Sequence, residues 1–251
     1  MGQAWLVYPQ HVYNRHEETG TRFMASANVT AHAAPQQVKV AVDNCIFTVL
    51  EEQLHLLLIQ MTKAPFTGMW ALPGGLIQDG EALDAAAARI LDEATGVADV
   101  YLEQLYTFGR PDRDPAGRVI SVTYFALIHA GGIALRTQPK YADVRWWPCT
   151  NLPALAYDHD EVAAYARQRL EWKLAYTNVV WSLLPRRFVL TELQKAYEAV
   201  LGRKLDKRNF RKKISSLGLV EPVGEKAMRG AHRPAMLYRF TSREPKLVDM
   251  L

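Results

Sequence analysis

The segment from Gly75 to Val97, GLIQDGEALDAAAARILDEATGV, constrains what this chain can fold into more than any other. A loop rich in Gly and Pro, FTGMWALPGG at 66–75, leads into it. Glu81 to Glu93 is Ala-rich and lacks both Gly and Pro, which predicts a helix. Gly96 supplies the left-handed residue that ends one. Residues three and four apart on a helix share a face, so positions 90, 93 and 94 lie together. That face carries Ile90, Glu93 and Ala94.

Gly75, Glu81, Arg89, Leu91, Glu93, Gly96 and Val97 stand in register with the box of the Nudix family, and this segment resembles it. The family box runs Gly, five residues, Glu, seven residues, then Arg-Glu-apolar-any-Glu-Glu-any-Gly-apolar. The resemblance implies an α/β (α+β) fold, a mixed sheet sandwiched by helices. It also exposes two departures, Ile90 and Ala94, where the family has Glu. In working members that helix face presents carboxylates to magnesium or manganese, hard cations that need oxygen ligands and that polarise a pyrophosphate. Here Glu93 remains, with Glu81 in the loop or first turn, as a weak residual Mg²⁺ site. Without the cluster, hydrolysis loses its main charge stabilisation. The expectation is therefore no enzyme and no required cofactor. The rival is a carboxylate elsewhere, such as Glu103, that rescues the site.

Around this motif the pattern predicts strands. Val38, Val40 and Val42 alternate with Lys39, Ala41 and Asp43, Leu54 to Gln60 is a short apolar run, and Glu51 to Gln53 reads as the turn between them. Tyr101–Phe108 and Val119–His129 read as strands joined by a loop at 109–118, with a further strand at Val144–Trp147. His159–Trp172 has helical spacing. His159, like the other histidines, reads as structural or exposed rather than as a ligand.

Binding can outlive catalysis. The loop from Arg110 to Arg118 offers Arg110, Arg113 and Arg118, whose guanidinium forks match phosphate oxygens. Two prolines and Gly117 turn its backbone. The loop and the strand VISVTYFAL resemble those of Nudix proteins that handle ADP-ribose. The candidate effector contacts are Trp70, Gly74, Gly75 and Arg89 with Arg110, Arg113, Asp114 and Arg118. Taken singly, Trp70 and Phe66 read as packing residues.

The charge is uneven. From Pro185 to Leu251 the chain has 16 Lys and Arg against 7 Asp and Glu, while the preceding 184 residues are net acidic. A basic tail on an acidic body points to a polyanion partner. In that tail Thr191 can cap a helix that ends at Gly202. A second helix starts near Asp206 and ends before Gly218, with Phe210, Ile214 and Leu217 on its inner side. Arg208, Asn209, Arg211, Lys212 and Lys213 are the candidate DNA contacts of this reading helix. Strands at Leu219–Glu221 and Met236–Phe240 flank a wing carrying Lys226, Arg229, His232 and Arg233. Lys and Arg supply phosphate affinity, and Arg or Asn reads base edges. A dimerising helical hairpin is the bland alternative.

These features divide the chain into a tail at 1–37, a sensor at 38–158, a linker helix at 159–184 and a winged helix-turn-helix at 185–251. No apolar stretch approaches the ~18 residues of a membrane span, and no secretory signal is evident, so a cytoplasmic protein is expected. Cys45 and Cys149 read as free thiols. A degenerate Nudix box followed by a basic winged helix resembles the Nudix-related transcriptional regulators of NAD metabolism, the NrtR family. That resemblance rests also on RDPAGR, DVRWWP, YDH and RPAMLYR. It implies repression of NAD biosynthesis or salvage genes, ADP-ribose as effector, and a homodimer on palindromic double-stranded operator DNA that is released by the ligand. The alternatives are an active ADP-ribose pyrophosphatase and a protein-interaction module.

Overall fold

In the computed structural model the described residues are 36–97, 100–131, 133, 135, 137, 139–227 and 234–250. The expected tail lies almost wholly outside them. Among the described residues nine strands and four α-helices follow in chain order: β1 Lys39–Leu50, β2 Gln53–Met61, β3 Trp70–Ala71, β4 Gly74–Leu76, α1 Leu83–Thr95, β5 Tyr101–Phe108, β6 Val119–Leu127, β7 Tyr141–Pro148, α2 His159–Tyr176, α3 Leu190–Leu201, α4 Lys207–Ser216, β8 Val220–Ala227 and β9 Ala235–Phe240. A 3₁₀ turn at Val179–Leu183 lies between α2 and α3.

The first seven strands form one mixed sheet. β1 pairs parallel with β6 and antiparallel with β2 and β4, and β7 lies along β2. Alternation in β1 sends Val42, Asn44 and Ile46 to one face and Cys45 and Phe47 to the other. The strand expected from alternating Val38, Val40 and Val42 is present, and because both faces of the sheet are covered it is buried from Ala41 to Thr48. The turn at Glu51 and Glu52 takes left-handed backbone, φ 48° and 61°, the geometry of a tight hairpin.

The Gly- and Pro-rich stretch 66–75 is not wholly a loop. Trp70–Ala71 pairs with β2, and Gly74 and Gly75 pair with Asp43 and Val42 of β1. Strand signals were hidden there because two- and three-residue pairings carry no periodicity. α1 begins at Leu83 rather than Glu81, whose side chain turns back to accept from the Gln78 amide at 2.8 Å.

α1 packs Ala86, Ala87 and Ile90 on Val42, Val122 and Tyr124. On the other face, Phe47, Leu56 and Phe125 share one apolar core with Val162, Ala166 and Leu170 of α2. The same core includes Leu193, Tyr197 and Val200 of α3, Phe210 and Ile214 of α4, and Phe240. Packing thus continues across Pro185 without a break. Lys195 on α3 also meets Glu52 of the β1–β2 turn at 2.5 Å.

Candidate functional site

A cleft of about 240 Å³ opens beside β1, β2 and the start of α2. Of the eight candidate effector residues, Gly74, Gly75, Arg113 and Asp114 line it. Asp43, Lys63, Lys140, Tyr157 and His159 also line it, and the sequence reading had not selected them.

Its floor is a buried polar network. Asp43, Arg113, Asp158 and His159 are each no more than 6% exposed. Arg113 donates to Asp158 from Nε at 3.0 Å and from Nη2 at 2.7 Å. Asp43 Oδ2 accepts from Ser121 Oγ at 2.5 Å, with Arg113 Nη2 and His159 Nε2 each at 3.6 Å. Burial works to raise the Asp43 pKa, but His159, Ser121 and Arg113 outweigh it and hold the carboxyl below its usual range. Tyr157 takes left-handed backbone, φ 59°, an uncommon state for an aromatic residue that sets its ring between Phe66 and His159. The sequence held one signal for this floor: Asp43 places a carboxylate in the middle of a mostly apolar strand, and a buried charge needs a reason.

The other arginines are engaged apart from the cleft lining. Exposed Arg110 pairs with Asp112 and Glu161. Arg118 donates to the carbonyls of Gly109 and Arg110 at 2.8 and 3.1 Å and ties the loop ends. The loop therefore does not aim three guanidinium groups at one ligand. Asp114 accepts from the Ala116 amide and so also shapes the loop. Trp70 packs edge-on against Trp147 with Arg145 over its ring, outside the cleft lining.

Arg89 sits between the two expected metal residues. Glu81 accepts from its Nε at 2.7 Å and its Nη2 at 2.9 Å, and Glu93 from Nη1 at 3.1 Å. Glu93 also holds Lys140 at 2.5 Å. The Arg89 hydrogen bonds, with the Gln78 amide, lower the Glu81 pKa from the usual 4.5 to about 2. Ile90 and Ala94, 1% and 0% exposed, belong to the apolar core. A divalent hard cation takes six or more oxygen ligands. Two carboxylates shared with a guanidinium and an ammonium, beside two apolar side chains, do not fit a hydrolytic metal centre. Among the described residues no group of three or more His, Cys, Asp and Glu side chains is placed to hold a metal. Glu103 is not a substitute, because it pairs with buried Lys173 at 2.6 Å.

The tail folds as the pattern required, with corrections. α3 starts at Leu190, not after Thr191, since Glu192 accepts from the Val189 amide at 2.9 Å and closes the first turn. Gly202 ends it in left-handed backbone. Asp206 caps α4 by accepting from the Asn209 amide at 2.8 Å. Phe210 and Ile214 are buried, while Arg208, Asn209, Arg211 and Lys212 are exposed. Lys213 differs: it is half-buried and pairs with Asp249 at 3.1 Å. β8 runs to Ala227, beyond the expected Glu221, and forms an edge hairpin with β9 that tolerates Pro222. Arg229, His232 and Arg233 lie outside the described residues.

Comparison with known proteins agrees with this architecture. The NUDIX domain model matches residues 40–169, and the model for the NrtR DNA-binding winged helix domain matches residues 180–240. The chain is 40% identical over 206 residues to the "ADPR responsive transcriptional repressor NtrR" of Acinetobacter baylyi, covering 80% of this chain and 81% of that protein. It is 34% identical over 134 residues to the "ADP-ribose pyrophosphatase" of Methanocaldococcus jannaschii, covering 53% of this chain and 74% of that protein. The crystal structure of Shewanella oneidensis NrtR complexed with a 27mer DNA superposes with a TM-score of 0.71 at 36% identity, covering 80% of this chain and 93% of that one. A Nudix domain and an NrtR winged helix thus lie on one chain in the order and over the span found in those regulators, and the chain belongs to the NrtR family.

Proposed function

We propose that this chain is a transcriptional repressor whose winged helix binds operator DNA and is released when ADP-ribose occupies the cleft of the Nudix domain. One observation carries the reading. Leu72 of the cleft lining and α2, whose first residue His159 also lines the cleft, belong to the apolar core that holds Phe210 and Ile214 of the exposed basic helix α4. A ligand that prefers one placement of that core shifts DNA affinity by the size of its preference. The A. baylyi relative, named as an ADP-ribose-responsive repressor, supports the choice of effector. From the family resemblance, the regulated genes are those of NAD biosynthesis or salvage.

In this reading Arg208, Asn209, Arg211 and Lys212 contact DNA, with the wing residues Arg229, His232 and Arg233 adding phosphate contacts. A homodimer presents two copies of α4 to two half-sites about 34–36 Å apart. No helix among the described residues is long and apolar enough to cross a membrane, and the protein works in the cytoplasm, where the DNA is. It is not primarily an enzyme, and it requires no metal.

The pyrophosphatase relative supports a second reading, residual hydrolysis of ADP-ribose. One experiment separates the two. Labelled DNA from upstream of NAD-synthesis genes is titrated with the full chain, and ADP-ribose is then added while AMP release is followed. Sequence-dependent binding reversed by ADP-ribose without AMP supports the repressor. Failure to bind DNA, with magnesium-dependent AMP release at ordinary enzyme rates, overturns it.

A further inference from the structure

Asp43 carries more charge than its neighbours need. It lies in the middle of β1, 5% exposed, in the run VAVDNCIFTVL. Arg113 is already matched by the two-point contact with Asp158. Asp43, Asp158 and Arg113 together leave one negative charge on the cleft floor, which His159 at 3.6 Å matches only when its ring is protonated. Burying such a charge is unfavourable, and in the lining of a cleft it makes Asp43 a candidate functional position.

The geometry shows which atom is available. Oδ2 is occupied by Ser121, with Arg113 and His159 close by. The Leu72 amide donates to His159 Nδ1 at 3.0 Å, so a neutral imidazole carries its proton on Nε2, toward Asp43. Oδ1 accepts from none of the described residues. It lies over Gly74, where an added Cβ would collide with it, so the absence of a side chain there makes room for that oxygen. Asp43 and Gly74 both line the cleft.

An anionic acceptor at the floor repels phosphate and attracts hydroxyl donors. The cationic lining residues Lys63 and Lys140, with Lys140 shared by Glu93, suit the phosphate part of a ligand. We propose that Asp43 is the specificity residue of the cleft, accepting hydrogen bonds from the vicinal hydroxyls of a ribose whose phosphate lies toward the lysines. The inference rests on the reading of the cleft as the ADP-ribose site. ADP-ribose offers two ribose units, and the shared chemistry is the free diol.

The test uses the full wild-type chain and changes the ligand. Calorimetric titrations compare ADP-ribose with analogues lacking the 2′- or 3′-hydroxyl on either ribose. Loss of a hydroxyl that meets a carboxylate is expected to weaken binding about 10- to 100-fold. The ribose at which the loss occurs identifies the one held by Asp43. Asp43→Asn is then expected to weaken ADP-ribose but leave the sensitive deoxy analogue almost unchanged. If that variant does not fold, the ligand series on the wild-type chain decides alone. Equal affinity for ADP-ribose and every deoxy analogue overturns the assignment and leaves the repressor reading standing. No binding of ADP-ribose by the wild-type chain overturns both.

Discussion

Arg113 holds Asp158 at 3.0 and 2.7 Å, although Asp158 stands at the N-cap position of α2 and its side chain does not cap that helix. The guanidinium occupies the group that ordinarily accepts from a helix's first turn. Arg113 lines the cleft, and α2 shares its apolar core with the winged helix.

Both side chains are 3% exposed, so removing one leaves the other buried without its two-point partner, Arg113 keeping only Asp43 at 3.6 Å. Asp158→Ala is expected to lower stability by about 3–5 kcal/mol. The pair Arg113→Met with Asp158→Leu is expected to lose less than the sum of the single changes, because neither partner of the two-point contact is left behind, although Asp43 loses Arg113 at 3.6 Å; ADP-ribose binding is expected to weaken. Urea unfolding with effector titration checks both. Full additivity of the two stability losses would show that the ion pair is not a unit.

The Glu81 carboxyl is held at about 2 by Arg89 and the Gln78 amide, below its usual 4.5. A lowered folded-state pKa contributes stability that is present above the usual value and is lost as pH falls through the folded one. Glu81→Gln is therefore expected to flatten the pH dependence of stability between pH 4.5 and about 2, with the difference from wild type largest above that window. Acid-unfolding curves of the two proteins measure this. Parallel slopes would contradict the assignment.

On α4, Arg211→Ala and Lys212→Ala are each expected to weaken operator binding and reduce the salt slope by about 1, leaving ADP-ribose affinity unchanged. Lys213→Ala should change the slope less, because its ammonium is already paired with Asp249. DNA titrations at several salt concentrations test the contrast. If all three behave alike, α4 docks in another orientation.

Ile90→Glu with Ala94→Glu restores the letters of the family box but not a metal site. Both positions are in the core, and each buried carboxylate lacks a partner. The expected result is severe destabilisation with no magnesium-dependent release of AMP. A stable, active double variant would show that α1 can turn that face to solvent.

The strongly patterned elements were legible in the sequence. Glu81–Glu93 gave α1 within two residues, Gly96 and Gly202 gave the helix ends, and Phe210 and Ile214 gave the buried side of α4. The short strands at Trp70–Ala71 and Gly74–Leu76 were not, because their pairing depends on β1 and β2 rather than on local pattern. The cleft was half legible. Gly74, Gly75, Arg113 and Asp114 came from the box and the arginine loop. Asp43 and His159 did not, because they lie 116 residues apart in the numbering and meet only when β1 is laid beside the start of α2. The three loop arginines looked equivalent in sequence, and only burial separates Arg113 from Arg110 and Arg118.

The central claim is that cleft and reading helix are coupled, and linkage makes the coupling reciprocal. The most direct measurement is the affinity of the full chain for ADP-ribose, first free and then saturated with operator. The account predicts weaker binding on DNA, by the same factor with which ADP-ribose weakens DNA binding. Equal affinity in the two states would contradict it.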